Sequence, residues 1–488
     1  MNFSRYKKLA LILPMVLALG ACEQDFDEIN TNTNDAEVGT PSLILTNAQR
    51  SNVTRYWDVE ANMDGGLLIV QHWAKIQYTN EDRYAFRTGS YQNIWDGFYA
   101  GGLQDFNKVI SLGQEQDHKG YQAVGLIMRS WLFSLLTDMY GDIPYSEALR
   151  LQEGSASPKY DKQEDVYRGL LTDLKTAADM INSNTPAVQG DIMYGGSMMQ
   201  WKKFANSLRL RLAMRVADAD AALARTHAAE VLNSGVHFTS NIDNAQVVYL
   251  STTFPNNNPV HENRKTRDDH RISKTIVDKL TTLKDPRLLV YADSVVLHRP
   301  GRSWFVGVQN GLTNTQAATL GLDSTSLVGD YFRRETAPAV IMTYAEVLFF
   351  KAEAIARGFV SNGVAATEYQ NAIRASMSQF GIADAAAVTT YLAQPSVVYN
   401  AANYKQSIGE QKWIALFGQG LEAWSEWRRL DYPQLTVARN PVAAAGGRIP
   451  VRFIYPAQEQ SLNQTNYNEA VARQGADRLT TKLWWDKF

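Results

Sequence analysis

The sequence predicts a mainly α protein, with helices in pairs along most of the chain and one irregular, loop-rich half. Three observations carry this. Apolar residues recur at the 3.6-residue period in five segments, and no regular alternation exists that would build a sheet core. Between about 235 and 335 the helical period is lost in a stretch rich in Asn, Thr, Gly and Pro.

The elements follow in order. Val124, Ile127, Trp131, Leu135 and Met139 form an apolar stripe. Asp161 and Glu164, spaced like a capping box, precede Val166, Leu170, Leu174, Ala178 and Ile181. Trp201, Phe204, Leu208, Leu212 and Val216 make a third stripe, with Arg209, Arg211 and Arg215 expected on the other sides. Tyr344, Leu348, Ala352 and Ile355 make a fourth, ended by Gly358 at C′. Trp413, Leu416, Gly420, Trp424 and Trp427 make a fifth; Arg428 and Arg429 suit its negative end, and Pro433 prevents continuation. The segment Ala345–Ile373, with small and large residues at helical spacing, resembles a tetratricopeptide unit, a helix–turn–helix of about 34 residues. Asn93–Ile110 with Tyr121–Tyr140, and Asp161–Ile181 with Met199–Val216, read as further pairs. Strand character is confined to Gln246–Ser251, Val295–His298 and Arg452–Tyr455. The irregular stretch contains FPNNNPVHENRKTRDDH; a long insertion of this kind in a helical scaffold points to a binding role.

Composition excludes several classes of function. With 48 Lys and Arg against 50 Asp and Glu, the chain has no basic excess to release counterions from a nucleic-acid backbone. A single cysteine, Cys22, rules out internal disulfides and Cys-based zinc sites.

The start of the chain reads as an address. Arg5, Lys7 and Lys8 precede an apolar run from Leu9 to Leu19, too short to cross a bilayer core of about 30 Å. Gly20 and Ala21 then precede the cysteine. This is the pattern of a lipoprotein signal peptide over 1–21, with lipidation at Cys22. Cleavage there takes three positive charges from a net −2 and leaves 467 residues at −5. Residues 22–40, opening with Glu23, Asp25, Asp27 and Glu28, read as a polar tether, and 41–488 as one helical body.

No phosphate-binding glycine loop, HExxH or GxSxG motif is present, so no catalytic site and no cofactor are expected. His261 and His270, nine apart in a loop, read as solvated rather than as a metal pair; Asp138 and Asp142 read as turn residues rather than as an acid pair. What remains is aromatic. Trp73, Tyr78 and Tyr84, interleaved with Arg83, and Trp304, Tyr331 and Arg333 in the loop-rich half, are the ligand-binding candidates. Flat rings stack on sugar faces or peptide side chains, and Arg takes hydroxyls or carboxylates. Trp95 and Tyr99 are read as core.

Taken together, CEQDFDEINTN, LTDMYGDIPYSEAL, YDKQEDVYRGLLTDL, GDIMYGGSMMQWKKFANSLRLRLAMR, AEVLFFKAEAIARG, IGEQKWIALFGQGLEAWSEWRRLDYP and the terminal LWWDKF resemble the SusD/RagB family of outer-membrane nutrient-binding lipoproteins, in its SusD-like branch. NTNTND stands where the family pattern has Asn-Pro, a departure confined to the tether. The resemblance implies four tetratricopeptide-like helix pairs and an irregular half holding the ligand. It implies a lipid anchor in the outer membrane and surface exposure, with a SusC-like TonB-dependent transporter as partner. The ligand would be an oligosaccharide or, as in RagB-like members, a peptide. The quoted motifs are scaffold motifs and assign no ligand residue. A surface glycoside hydrolase and a scaffold binding only proteins are the competing readings.

Overall fold

The computed structural model describes residues 40–150, 154 and 157–488. The expected signal peptide, Cys22 and all but the last residue of the expected tether lie outside these residues.

The helical body is built from neighbours in sequence that pack on one another. Gln104–Glu115 packs on Lys119–Tyr140, Gln163–Met180 on Met198–Arg215, and Tyr344–Ala356 on Ala365–Gln379; Tyr404–Ala415 packs on Gly420–Leu430. These are four helix pairs, as the resemblance implies. One apolar cluster runs through them, from Leu45 to Trp485. The stripe on Lys119–Tyr140 understates its burial: nearly the whole helix is covered, because it packs against the helices before and after it. Trp95 is buried as expected and Tyr99 half-buried, its hydroxyl donating to the Pro144 carbonyl at 2.7 Å.

Several expectations fail for local reasons. Asp161 does not cap the helix after it. Lys162 stands at the cap without a side-chain bond, and Asp161 instead accepts from the Tyr145 and Ser146 amides at 3.1 and 2.7 Å. Asn93–Ile110 is not one α-helix: a π-helical turn, Gly97–Leu103, joins Thr88–Asp96 to Gln104–Glu115. The fifth stripe is split in two, with the break at residues 416–419, where Gly418 takes φ +92°. Arg209, Arg211 and Arg215 are buried, not on an outer face.

Among the described residues three small antiparallel strand pairings complete the fold: Trp73–Lys75 with His270–Ile272, Ile143–Pro144 with Tyr160–Asp161, and Ala245–Val248 with Pro338–Met342. Of the three segments with strand character only the first contributes a strand; Arg452–Tyr455 and Val295–His298 are irregular. The 235–335 stretch is not featureless. It holds the helices Pro259–Arg264, Lys274–Thr282, Leu288–Tyr291, Asn314–Ala318 and Asp330–Arg333.

The π-helix Val59–Gly66 meets Gly420–Leu430 at a glycine pair. A Cβ on Gly420 would lie 2.3 Å from the Leu67 amide nitrogen, and one on Gly66 would lie 2.4 Å from the Gly420 carbonyl carbon. Gly420→Ala is therefore expected to push two backbones apart, at a cost of about 1–3 kcal/mol in urea unfolding; an unchanged midpoint would show that the contact yields freely.

Candidate ligand site

Two clefts open in the loop-rich half. The first, of about 440 Å³, has the helix Lys274–Thr282 along one side, contributing Lys274, Val277 and Asp278. Across from it the chain folds back on itself. The Val295 amide donates to the Trp304 carbonyl at 2.9 Å, and a turn closes with the Arg302 amide on the Arg299 carbonyl at 3.0 Å. The arm from Ala292 is pinned on its other edge, where the Asp293 and Leu297 amides donate to the Leu327 and Asp323 carbonyls at 3.1 and 2.8 Å. Side chains alternate along extended chain. On the outgoing arm Val295, Leu297 and Arg299 line the cleft, and on the returning arm Arg302, Ser303, Phe305 and Val306, whereas His298 and Trp304 do not. Those two stack on each other instead, with ring centroids 3.7 Å apart and planes 10° from parallel.

The second cleft, of about 490 Å³, is lined by Ile76, Gln77, Tyr78, Asn314, Ala317, Ala318, Gly321 and Leu322. Asn314–Ala318 and the turn after it belong to both clefts, since Thr319 and Leu320 line the first. Beneath this wall Ala74, Ile76, Val308, Leu312 and Ala317 form a small apolar cluster of their own. Asp82 fastens it: the carboxylate accepts from the Lys75 and Gly311 amides at 3.2 and 3.0 Å and from Asn310 Nδ2 at 2.7 Å. Burial pushes the Asp82 carboxyl up to about 6, against those hydrogen bonds, which favour the charged form.

The candidate residues separate into groups. Tyr78 is 58% exposed in the second cleft, with the Arg267 guanidinium 4.5 Å from its ring centre. Trp304 is 55% exposed on the face of its hairpin away from the first cleft, with His298 covering one side of the indole. Trp73 and Tyr84 present no ring to solvent, being 1% and 2% exposed. Trp73 is paired with Ile272 in a strand, and the Tyr84 hydroxyl accepts from the Ala438 amide at 3.1 Å. Arg83 is spent on the loop beside it, its Nε donating to the Asn440 carbonyl at 2.8 Å. Tyr331 is half-buried against Phe332 and Phe380, and Arg333 holds Asp293 and the Val328 carbonyl. Arg333 thus braces the base of the Ala292–Leu297 arm, and Tyr331 packs in the aromatic group beside it. Phe305, Arg299 and Arg302 line the first cleft without being among the residues the sequence singles out, although Phe305 is the direct neighbour of Trp304.

His270 and His261 do not converge: His270 Nε2 lies 2.8 Å from Asp64 Oδ1, and His261 Nδ1 lies 3.2 Å from the Arg333 carbonyl. Among the described residues no group of three or more His, Cys, Asp or Glu is placed to hold a metal ion. Asp138 accepts from the Tyr167 hydroxyl and from Trp485 Nε1, and Asp142 is held by Arg473 and by the Gln163 amide, so both serve the scaffold.

The model of a family of starch-binding proteins associating with the outer membrane, SusD-like, matches residues 33–456. No curated protein sequence matches the chain. Among solved structures, a chitin-binding protein is 31% identical with a TM-score of 0.83, over 92% of this chain and 100% of its own. A chitin-binding SusD homologue from Flavobacterium johnsoniae is 25% identical with a TM-score of 0.80, over 92% of this chain and 98% of its own. A SusD homologue from Bacteroides uniformis is also 25% identical, with a TM-score of 0.81, over 92% and 99%. With a family model spanning most of its length and a shared architecture of paired helices, the chain belongs to the SusD-like family.

Proposed function

We propose that the protein is a non-catalytic, lipid-anchored nutrient-binding protein of the outer-membrane surface. In this reading it captures oligosaccharides and delivers them to a SusC-like TonB-dependent transporter. The carrying observation is the pair of clefts in the loop-rich half, with Phe305 inside one and Tyr78 inside the other, in a chain of a starch-binding family. Two of the similar structures are named as chitin-binding, which supports a sugar ligand. The leader over 1–21, the lipidated Cys22 and the tether over 22–40 supply the anchor in this reading, and the body from 41 carries the site. No described helix is long and apolar enough to cross a membrane. The structural engagement of Asp138 and Asp142 supports binding without bond cleavage.

The test is thermal melting of the purified protein against a panel of oligosaccharides and peptides. A ligand that binds only the folded state adds about 2.7 kcal/mol at a hundred times its Kd. An oligosaccharide is expected to raise the Tm, and Phe305→Ala or Tyr78→Ala to reduce that rise. A rise with peptides alone would make the protein a RagB-like peptide binder, and cleavage of the sugar would end the non-catalytic reading.

A further inference from the structure

Resting on the oligosaccharide reading of the first cleft, we infer that this cleft selects sugars that carry an anionic group, a uronate carboxylate or a sulfate ester. The argument is one of unspent charge. Three cations line the cleft: Lys274, Arg299 and Arg302. Lys274 is neutralised by Asp278, the one carboxylate among the lining residues and its partner one helical turn on. Arg299 and Arg302 are exposed, and among the described residues neither guanidinium has an ion-pair or hydrogen-bond partner. Asp323, on the neighbouring strand of loop, is exposed but is not part of the lining.

The two arginines are not scattered surface charges. They sit at the two ends of one turn, closed by the Arg302 amide on the Arg299 carbonyl at 3.0 Å. His298 Nε2, 3.0 Å from the Arg302 carbonyl, fastens that turn, and the stack of His298 on Trp304 holds His298 in place. The backbone bearing both guanidiniums is therefore set before any ligand arrives. Inside the cleft, Val277, Val295, Leu297 and Phe305 offer apolar surface for a sugar ring, and Ser303, Thr319, Ser324 and Thr325 offer hydroxyls. A neutral sugar would use those groups and offer the two forked cations at the rim only single hydroxyl acceptors. A carboxylate or sulfate matches the guanidinium fork with two parallel hydrogen bonds.

The test is titration calorimetry of the purified protein with three oligomers of matched length: a uronate, a sulfated and a neutral one, at low and at moderate salt. The uronate or the sulfated oligomer is expected to bind at least about tenfold more tightly than the neutral one, with an advantage that shrinks as salt screens it. The double variant Arg299→Gln/Arg302→Gln is expected to lose that advantage, its affinity for the acidic oligomer falling by a larger factor than its affinity for the neutral one. Both side chains are exposed, so its melting temperature should be unchanged. Arg299→Lys/Arg302→Lys, which keeps the charge and loses the fork, should fall between the two. Equal affinity for the neutral oligomer, or acidic binding untouched by the double variant, would overturn the inference and leave the oligosaccharide reading standing. Binding of no oligomer at all would overturn both.

Discussion

Replacing Glu353 with Gln is expected to remove about 3–5 kcal/mol of folding free energy, the cost of taking one carboxylate out of a buried cluster of paired charges. Glu353 Oε1 and Oε2 receive Arg429 Nη1 and Nη2 at 2.6 and 2.7 Å, and Arg357 Nε reaches Oε1 at 2.7 Å. Neither Glu353 nor Arg429 has any exposed side-chain surface. Burial acts to raise the Glu353 carboxyl, but the Arg429 and Arg357 guanidiniums outweigh it and hold the group below the ordinary carboxylate range. Arg429 also binds Glu426 at 2.7 Å, and Glu426 takes Lys412 at 2.8 Å. The same interior holds Arg211 on Glu346 at 2.6 Å and Arg215 on Glu422 at 2.6 Å. These pairs join Met198–Arg215, Tyr344–Ala356, Tyr404–Ala415 and Gly420–Leu430. Gln at 353 keeps the shape and removes the charge, so Arg429 keeps only Glu426 and Arg357 only Asp218. Urea unfolding measures the loss. The exposed pair Arg168–Glu164, at 2.8 Å, serves as the comparison: Glu164→Gln should cost under about 1 kcal/mol. Equal, small costs at both positions would mean that the interior network contributes packing and no electrostatic cohesion.

The same network shows what the sequence makes legible. Three of the four helix pairs follow from the 3.6-residue period, because each buries a stripe that periodicity reveals; the fourth lies under the single stripe Trp413–Trp427, whose break at 416–419 periodicity does not show. The arginines in LRLRLAMR do not follow from it. A helix buried on all sides has no polar face, and its cations are tolerated only through carboxylates far along the chain, 135 residues away for Arg211 and Glu346. Periodicity reads spacing along one helix and carries no record of such partners. The cap expected at Asp161 fails for a related reason: its spacing to Glu164 suits a cap, but the nearby Tyr145 and Ser146 amides take the carboxylate.

At the candidate site, composition points to the loop-rich half and to two rings that are exposed, Tyr78 and Trp304. It does not distinguish these from Trp73 and Tyr84, because Trp73 is paired with Ile272, almost 200 residues on, and Tyr84 is held by the Ala438 amide, 354 residues on. Nor could it show which face of the 295–305 hairpin meets the cleft. With alternating side chains, a one-residue difference decides between Trp304 and Phe305. A signal for Arg299 and Arg302 was present: two arginines flanking Pro300 and Gly301, in a loop with no acidic residue between Asp293 and Asp323.

Acidification is expected to weaken the fold through His72, by about 2–3 kcal/mol between pH 7.5 and pH 4.5. His72 is fully buried, its Nε2 3.0 Å from the Trp413 carbonyl and its ring against Trp413 and Phe417 at 4.9 and 5.3 Å. Burial pulls the imidazole down to about 3, and the bond to the Trp413 carbonyl offsets only part of that. The sign follows from the direction of the shift. Between its ordinary value of about 6.5 and 3, the unfolded chain takes up a proton that the folded chain refuses. The contribution of neutral His72 is therefore complete above 6.5 and is lost progressively as pH falls toward 3. Asp82, raised by burial to about 6, acts in the opposite sense, since its folded form gains a proton over part of the same range. The wild-type profile alone thus mixes these two with other titrating groups, Asp58 and His227 among them. Comparing the unfolding free energy of the wild type with that of His72→Gln at both pH values isolates the histidine, because Gln keeps a donor for the Trp413 carbonyl and does not titrate. The variant should lose about 2–3 kcal/mol less than the wild type on acidification. The consequence reaches the ligand site, since the His72 carbonyl accepts from the Ser273 amide at 3.0 Å, at the start of the helix that walls the first cleft. An identical loss in both proteins would show that His72 takes up its proton without unfolding, and would place the acid sensitivity of this joint in other groups.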